Sequence, residues 1–249
     1  CEKSGGRYLE SVGLNFSFIK KLGGSCMFYE TQVNDHGLEH DPFKALVAPR
    51  PIGWVSTASD KNEVNLAPYS FFNAVSDSPP MVMISSNQRK DTLANIENTK
   101  EFVCSLATYH LRDEMNMSSA TVSNGVSEFD LSKLKSAQSR LVAPPRVADS
   151  PAALECKLWK VIPIPKGPDD DNASHHTMIL GFVVGVFIDD KYLSGGLFDT
   201  AKAGLIARMG YMDYCQVTPE TTFSLNRPVV SEDGADASLK PGPWDGKYR

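Results

Sequence analysis

From Ile52 to Ile188 the chain is a succession of short apolar runs separated by polar breaks, and most of the runs are strand-sized. Ile52–Ser59 (IGWVSTAS) is rich in β-branched and aromatic residues and predicts a strand. The polar turn Asp60–Glu63 leads into a second extended run, Val64–Ala74 (VNLAPYSFFNA). Pro68 cannot donate to a ladder, so it marks an edge, a bulge or an end of that run. Pro79-Pro80 opens a third run, Met81–Ser85, because prolines start strands but do not sit in their middles.

Asp91–Lys100 (DTLANIENTK) predicts a helix, with Asp91 as its N-cap and Leu93 and Ile96 on its inward face. Glu101–Thr108 follows as a strand with Phe102, Cys104 and Leu106 on one face. Leu111–Val122 and Ser127–Leu134 predict short helices. Ala153–Ile162 predicts a strand, Pro163–Ser174 (PIPKGPDDDNAS) a loop, and His175–Ile188 a long strand. Leu205–Tyr214 (LIARMGYMDY) is a compact aromatic and basic segment. About six or seven strands result, and they do not alternate with helices, so a mainly β, antiparallel barrel with flanking helices fits better than a doubly wound sheet.

Composition narrows this little further. At 249 residues, 41% hydrophobic and 22% charged, the chain can bury a core without disulfides or structural metal. A formal net charge of −5 argues against nucleic acid or an anionic membrane as partner. The five cysteines lack C-x-x-C spacing and read as reduced thiols of a cytoplasmic protein. The longest apolar run, Met178–Ile188, is shorter than the roughly 18–20 residues of a membrane-spanning helix. His36 and His40 are four apart, but Gly37 and Pro42 spoil a helix there and no third ligand is evident, so no metal is expected. Three domains of unequal kind are expected: a leader over 1–26 of non-native or disordered character, one folded domain over 27–228, and a flexible tail over 229–249 whose composition turns to Ser, Asp, Gly and Pro.

The chemistry concentrates between Ala48 and Thr92. No G-x-G-x-x-G, Walker-type loop or G-x-S-x-G elbow occurs. A phosphate can still be held by hydroxyls, a cation and a helix N-terminus. Ser56 and Thr57 put two hydroxyls at a strand end; Ser85, Ser86, Arg89, Lys90 and Thr92 surround the predicted helix start. Asp91 beside a phosphate repels it, so its first reading is a cap or the partner of Lys90. Trp54 and Phe71 are candidate flat walls for a planar ligand, with plain core packing as the alternative for each.

These blocks (RPIGWVST, NLAPYSFFNAVSDSPPMVMIS, KDTLANI, EFVCSL), together with SEF at Ser127–Phe129, ALEC at Ala153–Cys156 and ARMGYMDY at Ala207–Tyr214, resemble the flavin reductase-like proteins of FMN-binding split-barrel type. The resemblance implies an antiparallel six-stranded split β-barrel that forms a homodimer and binds FMN at or near the dimer interface. It implies a cofactor site built from Trp54, Ser56, Thr57, Ala67, Ser70, Phe71, Lys90, Asp91, Thr92 and Arg208, and no catalytic side chain. The expected function is an oxidoreductase passing a hydride from NAD(P)H to FMN. The alternative is an FMN-binding electron carrier without NAD(P)H activity of its own. A pyridoxal-phosphate-type oxidase shares the barrel but calls for a second basic phosphate pocket, for which no clear second Arg/Lys cluster is seen.

Overall fold

The computed structural model describes residues 26–122 and 126–247. The expected leader therefore lies almost wholly outside the described residues. The chain divides into two units, 1–41 and 42–249. In the first, the ring of Tyr29 meets His36 edge-on at 5.1 Å. Among the described residues no group of three or more His, Cys, Asp or Glu gathers as a metal site.

The second unit opens with a single helical turn, α1 (Phe43–Leu46), and a two-residue strand, β1 (Arg50–Pro51). Strands β2 (Gly53–Ala58), β3 (Val64–Tyr69), β4 (Phe72–Asp77) and β5 (Pro80–Asn87) follow, then helix α2 (Asp91–Thr99) and strand β6 (Glu101–Leu106). Two short helices come next, α3 (Arg112–Met117) and α4 (Glu128–Leu131), and a two-residue ladder of β7 (Ser136–Ala137) with β8 (Arg146–Val147). The long strands β9 (Ala152–Gly167) and β10 (Asp170–Ile188) complete the main sheet. A small hairpin, β11 (Leu193–Ser194) with β12 (Leu197–Phe198), and a turn of helix, α5 (Thr200–Ala203), lead to β13 (Ile206–Arg208) and β14 (Tyr214–Gln216). In the expected tail, Val229–Val230 pairs with Ala237–Ser238.

The main sheet has seven strands in the order β3-β2-β6-β9-β10-β5-β4, every neighbouring pair antiparallel. It is the expected mainly β, barrel-like fold with one strand more than six. The extra strand arises because Val64–Ala74 is not one run. It bends at Ser70-Phe71, so β3 and β4 lie at opposite edges of the sheet. The sheet curls between them, and the Ser85 N–H donates to the Phe71 carbonyl at 2.8 Å across the bend. Pro68 sits in edge strand β3 opposite Trp54, where a missing donor costs no ladder bond.

The expected loop Pro163–Ser174 is instead the end of a long β9–β10 hairpin turning at residues 168–169. Beyond Lys157 the strand β9 has left its other neighbour, β6. Its prolines there need no second partner, and the ladder absorbs them through register shifts around Ala173. The hairpin thus extends what composition alone marks as coil.

The core has two main clusters. Val55, Ile84, Ile96, Phe102 and Ile179 fill one; Trp54, Leu66, Met115, Phe129 and Val147 fill the other. Leu93 and Ile96 of α2 are buried in the first cluster, each contributing about 1.5–3 kcal/mol by removal from water. Gly53 has no room for a side chain, since an added Cβ would stand 2.6 Å from the Phe72 ring. A separate three-stranded sheet, β1-β13-β14, sets Arg50 directly opposite Arg208. Among the described residues no helix is long and apolar enough to cross a membrane.

Candidate functional site

Where the curled sheet meets the start of α2 there is a cavity of about 730 Å³. Its floor is the bend from Asn65 through Ala67, Tyr69, Ser70 and Phe71. Facing it are Asn87–Thr92, the turn that enters α2. The segment Ser118–Val122 makes a side wall, and Glu128 and His176 close the remaining sides. The volume is that of an ordinary small-molecule site.

The helix entrance is open. Lys90, not Asp91, occupies the N-cap position; its backbone is extended (φ −95°, ψ 170°) and no side chain caps the helix. Asp91 is the first helical residue, where a carboxylate is favoured by the helix dipole. The first-turn N–H groups have no acceptor inside the helix, which makes this end a seat for an anion. Arg89 is held by Glu97. Lys90 lines the cavity and has no carboxylate partner among the described residues.

Six of the ten sequence-predicted residues line this one cavity: Ala67, Ser70, Phe71, Lys90, Asp91 and Thr92. The other four do not. Trp54 is fully buried in a core cluster, and its indole Nε1–H donates to Ser118 Oγ at 2.9 Å. It is therefore no wall of the cavity; it anchors from behind the segment that is. Ser56 is fully buried and donates to the carbonyl of Pro145. Thr57, also fully buried, accepts from Asn95 Nδ2 at 3.1 Å. The strand end and the helix do meet, but one turn inside α2, and the two hydroxyls are spent on holding elements together. The reason is register. Strand β2 lies inside the sheet between β3 and β6 and is buried along its whole length, so neither face of it opens to solvent. Arg208 lies in a neighbouring cavity of about 370 Å³ that shares Lys44, Pro68, Ser70, Phe71 and Ser119 with the first.

Several residues of the cavity were not singled out from sequence. Tyr69 is 9% exposed, and its buried hydroxyl lies beside those of Thr92 and Ser86 without forming a hydrogen bond of good geometry to either. Burial pushes its pKa up, and the nearby hydroxyls of Thr92 and Ser86 work in the opposite direction. Glu128 accepts from the Leu66 N–H at 3.1 Å and fixes the edge strand. His176 stands opposite Asn87 in the β10–β5 ladder and meets the Phe71 ring edge-on at 5.9 Å. Thr92 accepts from Asn65 Nδ2 at 2.9 Å, tying β3 to the helix entrance. A polar run of small residues after an amphipathic turn (SSATV) was the available signal for the side wall.

Residues 46–203 match the family described as flavin reductase like domain. The chain belongs to the flavin reductase-like family. An uncharacterized protein of Halalkalibacterium halodurans is 33% identical over 192 residues, 75% of this chain and 90% of the relative. An uncharacterized protein of Aquifex aeolicus is 41% identical over 124 residues, and the match spans 48% of this chain and 63% of that protein. Among solved structures, nitrilotriacetate monooxygenase component B from Bacillus cereus superposes with a TM-score of 0.71 at 26% identity, over 81% of this chain and 100% of that one. A protein with a split barrel domain from Shewanella frigidimarina, 17% identical with a TM-score of 0.66 over 83% of this chain and 100% of that one, shares the fold.

Proposed function

We propose that this protein binds FMN in the 730 Å³ cavity and acts as a flavin reductase-like oxidoreductase that takes electrons from NADH or NADPH. One observation carries the reading: an uncapped helix entrance headed by Lys90 faces, across one cavity, a strand bend with an aromatic side chain and a buried, unpaired tyrosine hydroxyl. That combination offers an anion seat at one end and a flat, backbone-edged slot at the other. It provides one phosphate seat, which favours a mononucleotide.

On this reading the first turn of α2, Lys90 and Thr92 hold the phosphate. The backbone from Ala67 to Phe71 serves the polar edge of the ring system, and the Tyr69 hydroxyl, sealed from solvent beside Thr92 and Ser86 in the free chain, turns to it on docking. Phe71 and His176 wall the slot, while Trp54, Ser56 and Thr57 brace it from within the core. Bound FMN supplies the two-electron chemistry; the chain supplies orientation and field, and no acid–base pair is required of it. Support for this class comes from family membership and from the likeness to component B of nitrilotriacetate monooxygenase.

We also propose a homodimer. Val184, Val186 and Ile188 alternate along β10 and leave an apolar stripe on one face, 38%, 61% and 37% exposed. A cytoplasmic setting accords with the buried free thiols Cys104 and Cys156. The test of the main reading is a visible spectrum of the purified protein, an FMN titration, and anaerobic titration with NADH and NADPH. Flavin bleaching by either nucleotide is expected. FMN retention with bleaching by dithionite alone would select the electron-carrier alternative, and failure to take up FMN would remove both.

A further inference from the structure

The second cavity is built differently from the first. Arg50 and Arg208 stand directly opposite each other in the β1–β13 ladder, and both line its wall of about 370 Å³. Like charges directly opposite in a ladder repel, so the pairing is a cost to the fold. Neither has a carboxylate partner among the described residues. Arg50 is 7% exposed. It donates to the carbonyls of Lys44, Val47 and Met209, which fixes the guanidinium in place. Its Nε–H remains buried and unpaired. Burial, and then the nearby Arg208 charge, hold the Arg50 pKa below its ordinary range. Arg208 lies over the Tyr214 ring at 4.5 Å, and the Arg50 guanidinium is 5.9 Å from the Phe71 centroid. With Lys44, which also lines it, the site has three cations without a carboxylate partner among the described residues, and two flat aromatic walls.

An uncompensated buried cation beside a second one is what an anionic ligand relieves. Arg50 spends three of its five N–H on backbone carbonyls and Arg208 one on the Tyr211 carbonyl; the donors left on the two guanidiniums suit the two oxygens of a carboxylate. The aromatic walls favour a planar body. The segment that supplies Arg208 and Tyr214 is the ARMGYMDY block, just beyond residue 203 where the family match ends.

We propose that this cavity binds a planar organic carboxylate, the carboxylate between Arg50 and Arg208 and the ring beside Phe71 and Tyr214. Because the cavity shares Ser70 and Phe71 with the first, it is the co-substrate pocket of the proposed oxidoreductase, an assignment that rests on the flavin reading.

The test is calorimetric titration of the full chain, with and without saturating FMN, using benzoate, benzyl alcohol and inorganic phosphate as probes. Benzoate is expected to bind, with benzyl alcohol weaker by about tenfold or more and phosphate failing to displace it. Arg208→Gln is expected to weaken benzoate by about tenfold or more and Arg208→Lys to recover part of the loss. Circular dichroism of each variant checks the fold. Benzoate binding indifferent to Arg208→Gln, equal binding of the alcohol, or displacement by phosphate would each overturn the proposal. So would a loss of FMN affinity in Arg208→Gln as large as the loss for benzoate, since that places Arg208 on the flavin. An FMN titration of the same wild-type sample separates the two readings. Failure of FMN with benzoate intact removes the flavin reading alone, and the reverse removes this one alone.

Discussion

Tyr69 concentrates the argument at the scale of single residues. A buried hydroxyl with no partner costs desolvation in the folded chain and returns it only when something docks. Tyr69→Phe is therefore expected to leave urea stability unchanged or slightly higher, and to weaken FMN by about five- to tenfold, roughly 1 kcal/mol. Fluorescence-quenching titration beside equilibrium unfolding measures both; a variant that is destabilised with FMN affinity intact would make Tyr69 a packing residue. Cys104 gives the pH dependence. Burial, and then contact with Cys156, raise its pKa well above the ordinary 9.0, so the native state prefers the neutral thiol. Its contribution is full below that value and is lost as pH climbs above it toward the native pKa. Cys104→Ala is expected to lower stability overall yet to flatten its decline above about pH 9, as read by urea unfolding across pH. Lys90, Thr92 and Phe71, which line the cavity, were legible as candidates because a polar run at a helix start and a proline-broken strand are local patterns. The burial of Ser56 and Thr57 was not legible, because whether a strand-end hydroxyl faces a cavity or the core depends on which strands lie on either side.

At the scale of elements, α2 is what turns a sheet edge into a site. Its apolar face buries Leu93 and Ile96, Asn95 reaches back to Thr57, and Asn65 of β3 reaches forward to Thr92. These ties point an uncapped N-terminus at the cavity. Lys90→Gln is expected to weaken FMN by about tenfold at low salt, with a difference from wild type that shrinks as ionic strength rises. Titration at two salt concentrations checks it; a salt-independent deficit would assign Lys90 a steric role. The helix itself was legible from its apolar spacing. The division of Val64–Ala74 into two strands was not, because the bend at Ser70-Phe71 carries no glycine or proline to announce it. The β9–β10 hairpin was hidden for the opposite reason: its tip carries prolines and aspartates that imitate a loop, and only the absence of a second neighbour makes them tolerable in a strand.

For the whole molecule, the curl of the seven-stranded sheet decides which surfaces remain. It brings the bend between β3 and β4 to the start of α2 and so encloses the first cavity within one chain. The same curl turns part of β10 outward, and alternate residues there are apolar. Val186, the most exposed of the stripe at 61%, is the place to test association. Light scattering of the wild type is expected to give twice the 27.2 kDa chain mass, and Val186→Asp is expected to give one chain at micromolar concentration. The FMN affinity of that monomer then decides how the site is shared. Because the helix entrance, the strand bend and Tyr69 all come from one chain, affinity within about threefold of wild type is expected, a change of less than 1 kcal/mol. A monomer that loses FMN altogether would mean that a second copy completes the cavity, and a wild type that already runs as one chain would remove the dimer while leaving the cavity's chemistry where it stands.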